Sequence, residues 1–167
     1  ISNSGNVDIK PKIALFSVRG GFTFNKNIII FDSSDKIPVV LTVANNGKSM
    51  IKPEGQISLK GNFGAISKYD IISKNILAES ERMIEATPSA IIECADRRDA
   101  TSCVSTLNLS GFFIGKYSLS TQIQFGENSP TIFGSTIFYA FPFKMGGGIL
   151  LATIIIVFII KKRSDEE

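Results

Sequence analysis

The sequence predicts an all-β antiparallel sandwich followed by a single C-terminal transmembrane α-helix, and three observations carry that reading. Short apolar runs rich in β-branched and aromatic residues recur from Lys12 onward, separated by Gly, Pro, Asn and Ser. The clearest of these runs alternate at every second position, the period of a half-buried strand. Beyond Lys144 the text becomes MGGGILLATIIIVFII, Met145–Ile160, which carries no charge and stops at Lys161-Lys162-Arg163.

Residues 1–11, ISNSGNVDIKP, are polar and turn-rich and read as a leader or linker. Residues 12–143 form the predicted extracytoplasmic β-sandwich, one domain long enough to bury a sizeable core. Its strands are expected at KIALFSV, GFTF, NIIIF, IPVVLTVAN, GQISLK, YDIIS, SAIIE, VSTLNL, GKYSLSTQIQF and TIFGSTIFYAF. In IPVVLTVAN one face holds Ile37, Val39, Leu41 and Val43, and in YSLSTQIQF one face holds Tyr117, Leu119, Thr121, Ile123 and Phe125. Those two faces are expected to meet in the core. Pro38 lacks an amide for a sheet ladder, so its strand begins there or lies at an edge. Asn45-Asn46-Gly47-Lys48 is a turn handing the chain to a returning strand at 55–60, with Pro53-Glu54-Gly55 as a second bend. The helical alternative is weak before Met145; NILAESERMIEA alone has helix-friendly composition, with room for one helical turn. Most of the 13 phenylalanines are expected in the core, whereas Phe22, Phe24, Phe112 and Phe113 make either core, the favoured reading, or an apolar surface where another domain docks.

The anchor is expected over 144–161, with a cytoplasmic tail at 162–167. Met145–Ile160 alone reaches roughly 24 Å as a helix, against a hydrocarbon core of about 30 Å. Lys144 on the outer side and Lys161, Lys162 and Arg163 on the inner side flank the span, their aliphatic stems extending it. Basic flanks stay cytoplasmic, which sets the tail inside and the N-terminal domain outside. Gly146-Gly147-Gly148 reads as a hinge at the helix entry. A chain of this orientation needs an export signal, so the start at Ile1 implies a processed or partial sequence.

Charge and cysteines narrow the function. There are 18 Lys and Arg against 15 Asp and Glu, and no basic block of the kind that binds nucleic acid. Cys94 and Cys103 are the only 2 cysteines and bracket ADRRDATS. Outside the cytoplasm such a pair is expected to form a disulfide across the base of a loop. Asp96, Arg97, Arg98 and Asp99 within it make a partner-binding loop or a solvated hairpin tip.

Catalysis has little to stand on. The chain has 0 His, which removes Ser-His-Asp and Cys-His devices together with the commonest general base near neutral pH. The pairs Asp32/Asp35, Glu79/Glu81 and Asp96/Asp99 lie in polar stretches and read as solvated charge. With 0 Trp there is no strong stacking platform for a carbohydrate cleft. No metal site and no cofactor is expected: two thiols without histidine do not complete a zinc site, and Asp32-Ser33-Ser34-Asp35 lacks an EF-hand loop.

The series VANNGKSMIKPEGQISLKGNFG, then NILAESER, then FFIGKYSLSTQIQFG resembles the C-terminal immunoglobulin-like domain of uncharacterised bacterial cell-surface proteins that end in one membrane helix. The residues that carry the likeness are Asn45 or Asn46 with Gly47, Pro53, Gly55, Ile57, Phe63-Gly64, Leu77, Ser80, Arg82 and Gly115-Lys116-Tyr117. Ala78 departs from it, standing where the pattern has proline. The resemblance spans Lys12 to the end and rests on turn and corner residues, so it implies an immunoglobulin-like fold and no catalytic residue. The expected function is that of a non-enzymatic, single-pass surface protein of the cell membrane. Its partners are the lipid bilayer and another protein of a membrane or cell-surface assembly, which it serves as accessory subunit or membrane-proximal stalk. The alternative is a receptor or adhesin domain for an external glycan or peptide.

Overall fold

The computed structural model describes residues 8–24, 28–62, 64–87, 106–126 and 129–164. The chain is mostly β-structure in sheets, ending in one long apolar helix. In order, the strands are β1 (Pro11–Val18), β2 (Phe22–Phe24), β3 (Ile28–Asp32), β4 (Ile37–Asn45), β5 (Glu54–Gly61), β6 (Ile66–Ile72), β7 (Ser80–Met83), β8 (Glu85–Thr87), β9 (Leu107–Leu109), β10 (Gly115–Gln124) and β11 (Ile132–Phe141), followed by α1 (Phe143–Ser164).

Two sheets share one core. The smaller has β4 between β1 on one edge and, on the other, β7 and β9 side by side along its length. The larger runs β2-β3-β11-β10-β5-β6-β8. Pairing is antiparallel except between β3 and β11, which run the same way. The two faces singled out by alternation do meet: Ile37, Val39, Leu41 and Val43 of β4 share the core with Leu119 and Ile123 of β10 and with Phe125 just after it. At Gly134 of β11 the two sheets lie close together. A Cβ there would lie 2.8 Å from the Ile13 side chain and 3.2 Å from that of Phe16, both on β1.

Two of the chain's passages between the sheets are set by fully or nearly fully buried residues. Asn45 is completely buried at the end of β4; its amide group donates to the carbonyls of Ser49 (2.8 Å) and Leu77 (3.0 Å), and its oxygen accepts the Gly47 amide at 3.1 Å. Gly47 is required because a Cβ there would come within 2.3 Å of the Asp8 carbonyl oxygen. The strand that follows is therefore not a hairpin partner of β4: β5 joins the larger sheet between β10 and β6. The second crossing lies between β7 and β8, at buried Ile84, whose amide bonds to the Leu41 carbonyl at 2.9 Å. Where β7 departs, Thr106 fills the gap, its hydroxyl accepting the Leu41 amide at 2.7 Å.

Three expectations are corrected. Residues 8–11 belong to the fold: Pro11 opens β1, Ile9 packs on the core, and the Asp8 and Lys10 carbonyls accept the amides of Ser49 and Asn46. NILAESERMIEA holds a turn and two short strands instead of a helical turn, because its backbone pairs with β4 and β6. Phe22, Phe24 and Phe112 are exposed, and of the four rings named only Phe113 is buried.

Candidate functional site at the junction of sheet and helix

Helix α1 has 22 residues, about 33 Å at about 1.5 Å each, which is enough to cross a hydrocarbon core. It is longer than the uncharged run because Phe143 and Lys144 precede that run and Lys161–Ser164 continue it. None of its most apolar window is covered by the rest of the chain. The three glycines do not form a hinge. They lie in the first turns of the helix, and Gly146 donates its amide to the Pro142 carbonyl at 2.9 Å.

No acidic residue occupies the first turn of α1, where unpaired amides and the helix dipole favour an anion. Asp32, at the end of β3, supplies one. Its Oδ2 accepts the Lys144 amide at 2.9 Å, and its Oδ1 accepts the Ser34 amide at 3.1 Å and the Ser34 hydroxyl at 2.7 Å. These donors hold the Asp32 carboxyl down at about 2, the Lys144 amide contributing most and the Ser34 hydroxyl next, against the upward push of desolvation. Lys144 Nζ pairs with Asp35, so its ammonium lies against the loop after β3. Asp32 and Asp35, expected as solvated charge, are thus the clamp that fixes the helix to the sheet; Asp32 is only 7% exposed.

The rest of this end is tied in by main-chain bonds. Ser33 donates its amide to the Phe141 carbonyl and accepts the Phe113 amide, each at 3.0 Å. Tyr117 stacks on Phe138 at 5.2 Å, and Phe113 meets both rings edge-on. The Tyr117 hydroxyl accepts the Ile114 amide at 3.2 Å.

The outer face of the larger sheet is divided. Register places Phe22 and Phe24 of β2 beside Ile30 and Ile28 of β3, and Ile30 beside Tyr139 of β11. Phe133 and Ile137 continue that face along β11 and are exposed, as are Phe24 and Ile28. Across β10, β5 and β6 the same face becomes polar, with Lys116, Ser118, Ser120 and Gln122 beside Lys60, Ser58 and Gln56. At its end away from α1 a concavity of about 370 Å³ is lined by Glu54, Gly55, Gln56, Asp70, Gln122 and Gln124. The Gln56 amide there donates to Asp70 at 2.9 Å.

Of the residues singled out in the sequence, Lys144 is the second residue of the helix and Lys161, Lys162 and Arg163 lie in its last turn. Cys94, Cys103, Asp96, Arg97, Arg98 and Asp99 lie outside the described residues. Among the described residues no cluster of three or more His, Cys, Asp or Glu has metal-ligand geometry. No family model and no curated protein matches the chain. Among solved structures it is similar to the alkylpurine DNA glycosylase AlkC of Pseudomonas fluorescens bound to DNA containing an abasic site analog, with a TM-score of 0.45 and 14% identity over 78% of this chain and 30% of that one.

Proposed function

We propose that this chain is a non-enzymatic, single-pass membrane protein whose immunoglobulin-like β-domain faces outward and binds another protein, as accessory subunit of a membrane complex or as a membrane-proximal stalk. The observation that carries the reading is the pairing of an uncovered apolar helix with a rigid attachment. Asp32 and Asp35 bind Lys144, so the β-domain stands at the bilayer without an intervening linker. The apolar half of the outer sheet face, with Phe24, Ile28, Phe133 and Ile137 exposed, is the surface offered to a protein neighbour. Lys161, Lys162 and Arg163 at the far end of the helix support a cytoplasmic side for that end, since basic flanks are retained there.

A polar concavity favours a second reading, capture of an external glycan or peptide at Gln56, Asp70, Gln122 and Gln124. The two separate on purification. Extraction of native membranes in mild detergent should give a species in which the chain co-migrates with a defined partner, after resisting release by alkaline carbonate. Carbonate release would overturn the span. Purification alone, with binding only to added glycan or peptide, would replace the first reading by the second.

A further inference from the structure

We propose that the helix-proximal end of the β-domain is a lipid-contacting collar, in which Phe22, Phe112, Ile114 and Phe141 enter the headgroup layer of the outer leaflet around the start of α1. The inference rests on the membrane-spanning reading of α1 and goes beyond it by assigning a second, non-helical membrane contact.

Register and hydrogen bonds bring these residues to one level. β3 and β11 end together, with Asp32 opposite Phe141. Phe22 is the first residue of β2 and stands opposite Ile30, two residues before the end of β3. Ile114 precedes Gly115, which stands opposite Ala140, and Phe141 follows Ala140. Phe112 is tied to the same level because its neighbour Phe113 donates to the Ser33 carbonyl, and the Ser33 amide donates to that of Phe141.

The side chains at this level are unlike those of an ordinary solvated loop end. Phe22 is 67% exposed, Phe112 55% and Ile114 45%, and the Phe141 ring lies 6.1 Å from that of Phe143, the first residue of the helix. The apolar surface is thus continuous from the span onto the β-domain. Exposed Arg19, whose amide bonds to the Pro38 carbonyl at the start of β4, adds a cation suited to lipid phosphate. Because Asp32 holds the Lys144 amide, the collar stays with the point where the helix enters the bilayer, and rings beside a charged group suit that interface.

The chain contains 0 Trp, so single tryptophans report depth directly. Full-length Phe22→Trp, Phe112→Trp, Ile154→Trp and Phe133→Trp variants are placed in phosphatidylcholine–phosphatidylglycerol vesicles carrying lipids brominated at shallow or at deep acyl positions. The Phe22→Trp and Phe112→Trp chains should lose roughly half their emission to shallow bromines and little to deep ones, as residues of the interfacial layer do. Ile154→Trp should respond most to deep bromines and Phe133→Trp to neither. Quenching at position 154 with none at 22 and 112 overturns the collar and leaves the span standing, whereas no quenching at 154 overturns both. Equal quenching at 133 overturns the collar by showing a domain lying on its side. A blue shift at 112 without quenching overturns it by showing a protein cover.

Discussion

Asp32 accepts the Lys144 main-chain amide at 2.9 Å across 112 positions of sequence, and this bond makes the β-domain and the apolar helix one mechanical piece. A helix N-terminus ordinarily takes its capping oxygen from the residue just before it. Here that residue is Pro142, which has no side-chain acceptor, and the end of β3 provides the oxygen instead. The first prediction is that Asp32→Ala frees the start of α1. Hydrogen exchange at the Lys144 amide should quicken roughly tenfold, the scale of losing a helix cap, while amides in the middle of β4 keep their rates. Unchanged exchange at Lys144 would show that the bond does not hold the helix.

The same carboxylate makes the junction pH-dependent. Its native pKa of about 2 lies below the ordinary value of 3.8, so the unfolded chain takes up a proton first as pH falls. The stabilisation from Asp32 is therefore complete above about pH 4 and is lost between there and about pH 2. Thermal unfolding of the wild type should weaken more steeply over that window than that of Asp32→Asn, which has no carboxylate to titrate at this position. Parallel curves would mean that the Lys144 and Ser34 donors do not bias the ionised form.

A hydroxyl does comparable work inside the smaller sheet. Thr106 Oγ1 accepts the Leu41 amide at 2.7 Å and its own amide donates to the Val39 carbonyl at 2.8 Å, patching β4 where β7 has left for the other sheet. Thr106→Val keeps the shape and leaves the buried Leu41 amide without an acceptor, which should cost about 1–3 kcal/mol in urea denaturation. Thr106→Ser retains the oxygen and should lose less. Equal losses in the two variants would assign the effect to packing.

How much of this was legible follows from where the information lies. β4 and β10 could be read because their core-facing residues recur at period two, Ile37, Val39, Leu41 and Val43 in the one and Leu119, Thr121 and Ile123 in the other, although Val40 and Ala44 on the second face of β4 are buried as well. The apolar helix could be read because its sequence leaves no polar face. β7 and β8 could not: Ser80–Met83 and Glu85–Thr87 are mostly exposed and polar, and their extended form comes from backbone pairing with β4 and β6. The Asp32–Lys144 bond was hidden for a related reason, since a carboxylate two residues before a serine looks like any surface turn until its distant donor is in place. Its one local sign was the absence of an acid in the first turn of a helix that follows a proline. Phe22 and Phe112 could not be decided from the sequence because a core and an exposed apolar surface have the same composition, and both are exposed.

Ser33 offers the opposite case to Thr106, a buried hydroxyl that bonds to nothing among the described residues. Its side chain is fully buried beside Asp32, while its amide and carbonyl bind the Phe141 carbonyl and the Phe113 amide. The backbone thus does the structural work, and the hydroxyl carries a desolvation cost with no bond in return. Ser33→Ala keeps both main-chain bonds and removes that cost, so urea denaturation should show a gain of about 1 kcal/mol. Ser33→Val, which adds bulk at a fully buried position between the ends of β3 and β11, should destabilise by about 1–3 kcal/mol. A loss of stability in Ser33→Ala would mean that the hydroxyl has a partner in the folded protein, and hydrogen exchange at Phe113, unchanged in the alanine variant if the backbone bonds persist, separates that outcome from a disturbed loop.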